Sequence, residues 1–313
     1  MAAVVSILIP CHNAGPWLAA ALDSACGQTW PHREIIVVDD GSTDDSAPIA
    51  RRYASSGVKL ISQPRRGASA ARNTALAVAS GDFIQYLDAD DLLAPDKVAL
   101  QIVQAMETQA NFAFCATWSR FTRSVADADF SPQPLCGDFD SIDWLVLKLE
   151  QNRMMHPAAW LIPRAISDVA GPWNETLSLD DDGEYFTRVV LPSKGVRCCR
   201  DAISYYRSGL PRSLSDSQSE EAWKSAWRAR ELSIQHLLAA EDSPRTRHAA
   251  ATALQRFIYE SYPRVPQHRA EAALKIRHLG GSSLAPEGGP LFQTARRIIG
   301  WRLAKRLQLR RRS

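Results

Sequence analysis

Short apolar runs recur through the first hundred residues, each ending in a polar break. Val4–Ile9, Ile35–Val38, Val58–Ile61 and Phe83–Leu87 are compact and rich in β-branched or aromatic residues, as buried strands are. Between them, the stretches Trp17–Cys26, Asp44–Tyr53 and Ala68–Ala79 carry helical spacing. Alternating strand and helix predict a parallel sheet covered by helices on both faces. Right-handed crossovers set the C-terminal strand ends on one edge, where such sheets bind ligands. Beyond it the pattern predicts a helix over Asp96–Thr108, a strand over Phe112–Phe121 and a loop over 124–140. A helix over Ser141–Leu149, a strand over His156–Ile162 and a helix over Gly183–Leu191 come next. Short strands over Val196–Cys199 and Ile203–Arg207 complete this part. After about residue 215 only helical periodicity remains, in Glu220–Ala240, Pro244–Tyr262, Gln267–Leu279 and Leu291–Leu309. The expectation is an α/β domain over 1–215 and a helical region over 216–313.

The polar breaks carry the chemistry. Phe83–Leu87 runs into Asp88-Ala89-Asp90-Asp91, three carboxylates within four positions. Clustered acids repel one another unless a cation sits among them. Strand alternation would point Asp88 and Asp90 to one side, a hard-cation arrangement suited to Mg²⁺ or Mn²⁺ that a substrate's phosphates help to hold. Asp91 reads as the cap of a following helix, with a supporting acid behind the metal ligands as the alternative. Asp39-Asp40-Gly41-Ser42 ends the second strand and Pro10-Cys11-His12-Asn13 the first, so spacing alone brings three polar clusters to one edge.

With Arg66-Gly67-Ala68-Ser69-Ala70-Ala71-Arg72-Asn73 between them, these motifs stand in the order found in the family 2 glycosyltransferases, which the sequence resembles. The resemblance is close over about 4–95 and looser to about 207. It implies a GT-A fold, a mostly parallel Rossmann-like sheet flanked by helices, and sugar transfer with inversion from a nucleotide diphosphate sugar to an acceptor hydroxyl. UDP-sugar is the favoured donor, and a glycan or lipid-linked molecule the acceptor, as in lipopolysaccharide or exopolysaccharide assembly. It also implies Mg²⁺ or Mn²⁺ on Asp90 and Asp88, with Asp88 also near the ribose. Asp39, Asp40, Pro10 and His12 would line the nucleotide site, and Arg66, Arg72 and Arg207 or Arg212 would meet the base or diphosphate. The family's Glu-Asp pair after a Gly-x-Phe-Asp-Glu-like turn corresponds here to Asp181-Asp182, following Gly171-Pro172-Trp173-Asn174-Glu175. Asp182 takes the base position and Asp181 stands where the family has Glu. His156 reads more readily as a satisfied structural residue than as a ligand, and the tryptophans as core. No Gln-x-x-Arg-Trp segment of processive synthases is present, which favours single additions.

Composition narrows the picture further. Net charge is +3, so no global basic field argues for nucleic acid. The six cysteines form no C-x-x-C pair; most of them read as small buried hydrophobes in a reducing compartment. No apolar run is long enough to span a bilayer, giving a cytoplasmic expectation, or a peripheral one on the inner membrane face. The charge is uneven: after Glu287 there is no acid, while 291–313 interleaves cations with apolar residues. That basic amphipathic helix suits an anionic membrane surface, with Trp301 near the headgroups, or packing on the domain with a solvated basic face. Two rival functions remain. A dinucleotide-dependent oxidoreductase lacks its G-x-G-x-x-G after strand one. A non-catalytic module binding nucleotide sugar or membrane is kept open by the altered Glu-Asp pair.

Overall fold

In the computed structural model, which describes residues 2–108, 111–131, 133–210 and 217–310, the early apolar runs become β1 (Val5–Cys11), β2 (Arg33–Asp40), β3 (Val58–Gln63) and β4 (Phe83–Tyr86). Helices α1 (Gly15–Cys26), α2 (Ser46–Arg52) and α3 (Ala68–Val78) connect them. Both faces of the central strands are covered. Leu8, Ile36 and Ile84 pack on one side with Ala71 and Trp160, while Ile7, Ile9, Ile35 and Val37 pack on the other with Leu18 and Leu22. Burial on both sides explains why these strands read as continuous apolar runs.

Next come β5 (Leu92–Leu93), α4 (Lys97–Glu107), β6 (Ala113–Phe121), α5 (Ser141–Gln151), β7 (Trp160–Pro163), α6 (Arg164–Ala170), α7 (Asp181–Val190) and β8 (Val196–Arg207). Among the described residues the eight strands form one sheet in the order β3-β2-β1-β4-β7-β6-β8-β5. The pairs β1–β2, β1–β4, β2–β3 and β6–β8 are parallel; β4–β7, β6–β7 and β5–β8 are antiparallel. The reversal at β7, rather than the one at the edge strand β5, matters for the site. It sets the start of β7 beside the C-terminal ends of β1, β2, β4 and β8.

Four local expectations change. No helix starts at Asp91; the chain instead adds β5 against β8, pairing Leu92 with Tyr205 and Leu93 with Ser204. The two short strands near 196–207 are one strand, with a register irregularity opposite Ala116 and Thr117. Residues 157–159 form a 3₁₀ turn, so the strand expected from His156 begins at Trp160. Cys136 and Cys198 are disulfide-bonded with Cα atoms 5.2 Å apart, within bridging range, contrary to the expectation of unpaired thiols. Cys11, Cys26, Cys115 and Cys199 are free.

The C-terminal helices are α8 (Glu220–Ala240), α9 (Pro244–Ser261), α10 (Pro266–His278) and α11 (Pro290–Arg310). Trp223, Trp227, Leu254 and Phe257 centre a core of their own. This region also touches the sheet domain, α8 against α7 and α9 against α5. The boundary expected at 215/216, and Arg212, lie outside the described residues. No described helix is long and apolar enough to cross a membrane.

Candidate active site

The polar clusters converge where the topology directs them. Their commitments, however, differ. β2 ends at Asp40, whose Oδ1 accepts from Gln63 Nε2 (2.7 Å) and Arg66 N (2.8 Å), and whose Oδ2 accepts from Gly67 N (2.7 Å). The carboxylate therefore ties the β3–α3 loop to the edge. Asp39, buried, accepts from Ser42 N at 3.2 Å. Gly41 between them and the turn has φ +69, and a Cβ there would meet Arg65 N at 2.9 Å; only glycine fits. His12 Nδ1 bonds the Asp40 carbonyl at 2.8 Å, and buried Pro10 precedes it in β1. Arg66 is exposed and pairs with Glu175 at 2.7 Å.

β4 ends at Tyr86, and Asp88–Asp91 is a turn closed by Asp91 N donating to the Asp88 carbonyl at 3.0 Å. Strand alternation therefore does not govern Asp88 and Asp90, which have separate surroundings. Asp88 Oδ1 accepts from Arg72 Nη2 at 2.8 Å. The half-buried Asp90 carboxylate accepts from its own backbone N–H, and no other donor or ion-pair partner reaches it among the described residues. Burial first, then the charges of Asp91 and Asp88, push its pKa up to about 7. An acid held this way is a place a divalent cation would relieve. The turn closes no three-ligand set among the described residues, so a cation there would need phosphate or water to complete its shell. The donor chemistry thus fits Mg²⁺ or Mn²⁺.

Asp91, expected to cap a helix, lies beneath this turn. It is buried, and its Oδ1 accepts from Arg207 N at 2.8 Å while Oδ2 meets His156 Nδ1 at 3.0 Å. His156 Nε2 reaches Ser204 Oγ at 2.9 Å. Burial pushes the His156 pKa down to about 3 and the Asp91 pKa up, so a buried polar contact joins β7, β8 and the acidic turn. His156 is the satisfied structural residue expected. Arg207 also acts on this turn: its Nε donates to the Asp90 carbonyl at 2.9 Å and its guanidinium lies 4.3 Å from the Phe121 ring centre.

Arg72 links the Asp88–Asp91 turn to the second acidic cluster. Buried on α3, it donates to Asp88 from Nη2 at 2.8 Å and to Asp181 from Nη1 at 2.9 Å. Its Nε has no partner among the described residues. Its guanidinium sits 4.3 Å from the ring centre of Trp173, which stacks on Tyr185 at 4.1 Å. Ser69 Oγ also donates to Asp181, at 2.9 Å. Asp182 is held more loosely. Its Oδ1 accepts from Gly183 N at 2.8 Å, and burial, then Asp181 and Asp180, raise its pKa to about 7.

Asp180 enters α7 with φ +63, and its Oδ1 lies 2.1 Å from where a Gly183 Cβ would stand, so a side chain at 183 would displace the Asp180 carboxylate. Lys148 Nζ donates to the Gly183 carbonyl at 2.8 Å. Ser225 of α8 braces the approach: its Oγ accepts from Ser178 N and Leu179 N at 2.8 and 3.0 Å and meets the Leu179 carbonyl at 3.0 Å. The motifs did not reveal Ser69, Trp173, Lys148 or Ser225 as supports. Only Ser69 and Trp173 stood in motifs with a local signal.

Comparison with known proteins agrees with this architecture. The Glycosyl transferase family 2 profile matches residues 6–161. The Escherichia coli UDP-Glc:alpha-D-GlcNAc-diphosphoundecaprenol beta-1,3-glucosyltransferase WfaP is 39% identical over 207 residues, covering 65% of this chain and 77% of WfaP. The chain spans about half the length of the first curated relatives it matches, 47% for an uncharacterized Escherichia coli glycosyltransferase. In fold, the chain resembles S. aureus TarS 1-349 in complex with UDP, at TM-score 0.62 and 17% identity over 87% of this chain and 76% of that one. It also resembles a Pyrobaculum calidifontis mannosyltransferase in complex with GDP-Man and Mn²⁺, at TM-score 0.55 and 20% identity over 97% and 86% of the two chains. With WfaP matched across most of its length, the chain belongs to the family 2 glycosyltransferases, on a GT-A fold.

Proposed function

We propose that this chain transfers a sugar, with inversion, from a nucleotide diphosphate sugar to an acceptor hydroxyl. The observation that carries the reading is the Arg72 bridge, which holds Asp88 and Asp181 at 2.8 and 2.9 Å on one guanidinium. A buried cation shared by both clusters keeps the candidate donor and base sides of the reaction in fixed relation. Asp182 is the base. It takes the acceptor's proton as the hydroxyl oxygen bonds to the anomeric carbon and the carbon–oxygen bond to the diphosphate breaks. A carboxyl near pH 7 suits that task better than one at the ordinary carboxylate value. Asp181, held by Arg72 and Ser69, orients the turn.

Asp90 and Asp88 would hold Mg²⁺ or Mn²⁺, which when bound neutralises charge on the departing diphosphate. Asp39, His12, Pro10, Arg66 and the Asp40-anchored loop would contact or frame the nucleotide, while Arg207 steadies the Asp90 turn. UDP-sugar is the favoured donor, supported by the UDP-Glc named for WfaP and the UDP bound to TarS. A lipid-linked glycan is the favoured acceptor, supported by the diphosphoundecaprenol named for WfaP. Residues 1–215 would form the transferase unit, with α8 bracing its base turn.

Calorimetry with UDP, GDP, dTDP and CDP, with and without Mn²⁺, tests the donor site. Manganese-dependent binding of one nucleotide, weakened in Asp90→Asn, is expected. A folded protein that binds none of them would sink the transferase reading. Sugar turnover in Asp182→Asn, compared with its UDP binding, separates an enzyme from a binding module.

A further inference from the structure

The final helix is not continuous, and its break determines what each part can meet. Gly300 has φ 76 and ψ 155 inside α11, separating 290–299 from 301–310. Of the two places the sequence left open for Trp301, headgroups or domain, it takes the second, packing edge-on against Tyr259 and Tyr262 with ring centres 5.0 and 5.1 Å apart. Phe292 and Ala304 are buried. Each piece is therefore pinned to the body on one side.

The other side is apolar. Leu291 and Ile298 are each 78% exposed, Leu303 53% and Leu307 50%. Positions seven or four apart share a helical face, so 291 with 298, and 303 with 307, form short aliphatic stripes. Arg297, Arg302 and Arg306 lie beside them. None has an acidic partner in ion-pair range among the described residues, and no acid follows Glu287 in the sequence. The chain before this helix is net acidic, because the total is only +3.

Exposed aliphatic stripes need a cover, and the flanking charge identifies it. An anionic bilayer accepts aliphatic side chains at the acyl boundary and arginines at its headgroup phosphates. It also repels the acidic body, so only α11 is drawn in. Nucleic acid fits poorly: the aromatic ring here is already packed, and the free side chains are aliphatic, offering nothing for bases to stack on. We infer that α11 docks the protein on an anionic phospholipid surface through Ile298, Leu303 and Leu307, with Arg297, Arg302 and Arg306 at the headgroups.

The test sediments the full-length protein with vesicles of phosphatidylcholine alone or mixed with phosphatidylglycerol. Wild type is expected to pellet with the mixed vesicles only, less so as salt rises. Leu303→Glu/Leu307→Glu and Arg297→Glu/Arg302→Glu should each reduce the bound-to-free ratio by about tenfold or more. Thermal melting and UDP binding check that both variants are folded and that vesicle binding is read apart from the donor site. Wild type that stays in solution at low salt, or variants that pellet like wild type, would overturn the inference. So would a wild-type dimer that the leucine variant splits without any vesicle binding, since a second copy would then be the cover, or tighter retention by RNA than by vesicles.

Discussion

Asp40 and Asp90 follow strands separated only by β1, and each comes where an apolar run gives way to clustered acids. Asp40 is fully committed, with one side-chain amide and two backbone N–H groups donating to its oxygens. Asp90 has only its own backbone N–H as donor among the described residues, and its flanking side chains are themselves acids. Identical residue types at strand ends on either side of β1 thus do opposite work. One carboxylate holds a loop; the other is the ligand proposed for a cation. The difference comes from α3, whose leading loop turns its N–H groups towards β2, while its Arg72 reaches Asp88 rather than Asp90.

The largest effect should come from the acid that Arg72 serves indirectly. Asp182→Asn is expected to lower kcat by about 10²–10⁴-fold while leaving UDP affinity near wild type, read from product formation and calorimetry. With metal saturating, wild-type kcat/KM should fall as pH drops below about 7, because Asp182, pushed up to about 7, is then protonated. If Asp181→Asn loses more and Asp182→Asn stays active, the roles are reversed. Next in size, Asp90→Asn should lower turnover by about 10²–10³-fold and abolish the response to added Mn²⁺. Asp40→Asn should keep that response in whatever fraction is folded. A metal response lost in Asp40→Asn and kept in Asp90→Asn would break the comparison.

How much of this was legible depends on the range of the deciding contact. The β1–β4 strands were readable because both faces are buried, so Ile7 and Leu8 are equally apolar although they enter different cores. The common edge followed from chain connectivity alone. Asp91 was misread because a polar residue before Leu92-Leu93 and a proline looks locally like a helix cap. Its partners, His156 and Arg207, stand 65 and 116 positions away. The commitments of Asp40 were hidden likewise, since backbone donors leave no mark in residue type. The small helix Arg164–Ala170 and the break at Gly300 also escaped, the latter because apolar spacing continues across it.

Stability should separate the two acids more gently than catalysis does. Asp40→Asn removes the charge from a carboxylate that accepts three hydrogen bonds, and an amide cannot accept all of them. A loss of about 2–3 kcal/mol is expected, measured by denaturant unfolding without metal. An unchanged midpoint would mean that the loop does not depend on this carboxylate.

Asp90→Asn should do the reverse in the metal-free protein. The native state holds the Asp90 proton more tightly than the unfolded chain does, because burial and its acidic neighbours raise its pKa to about 7. Its contribution to folding is therefore fully present below the ordinary carboxylate range and is lost as pH rises through about 7. At pH 8 the native protein carries an ionised, unrelieved acid that asparagine would remove. The variant should be more stable there by on the order of 1–2 kcal/mol, with partial exposure screening part of the repulsion. The gain should shrink as pH falls towards 5, and shrink again when Mn²⁺ is added, since only wild type gains from the metal. Paired unfolding curves at both pH values read the sign directly. A variant less stable than wild type at pH 8 without metal would mean that this carboxylate, like Asp40, is already satisfied by the protein.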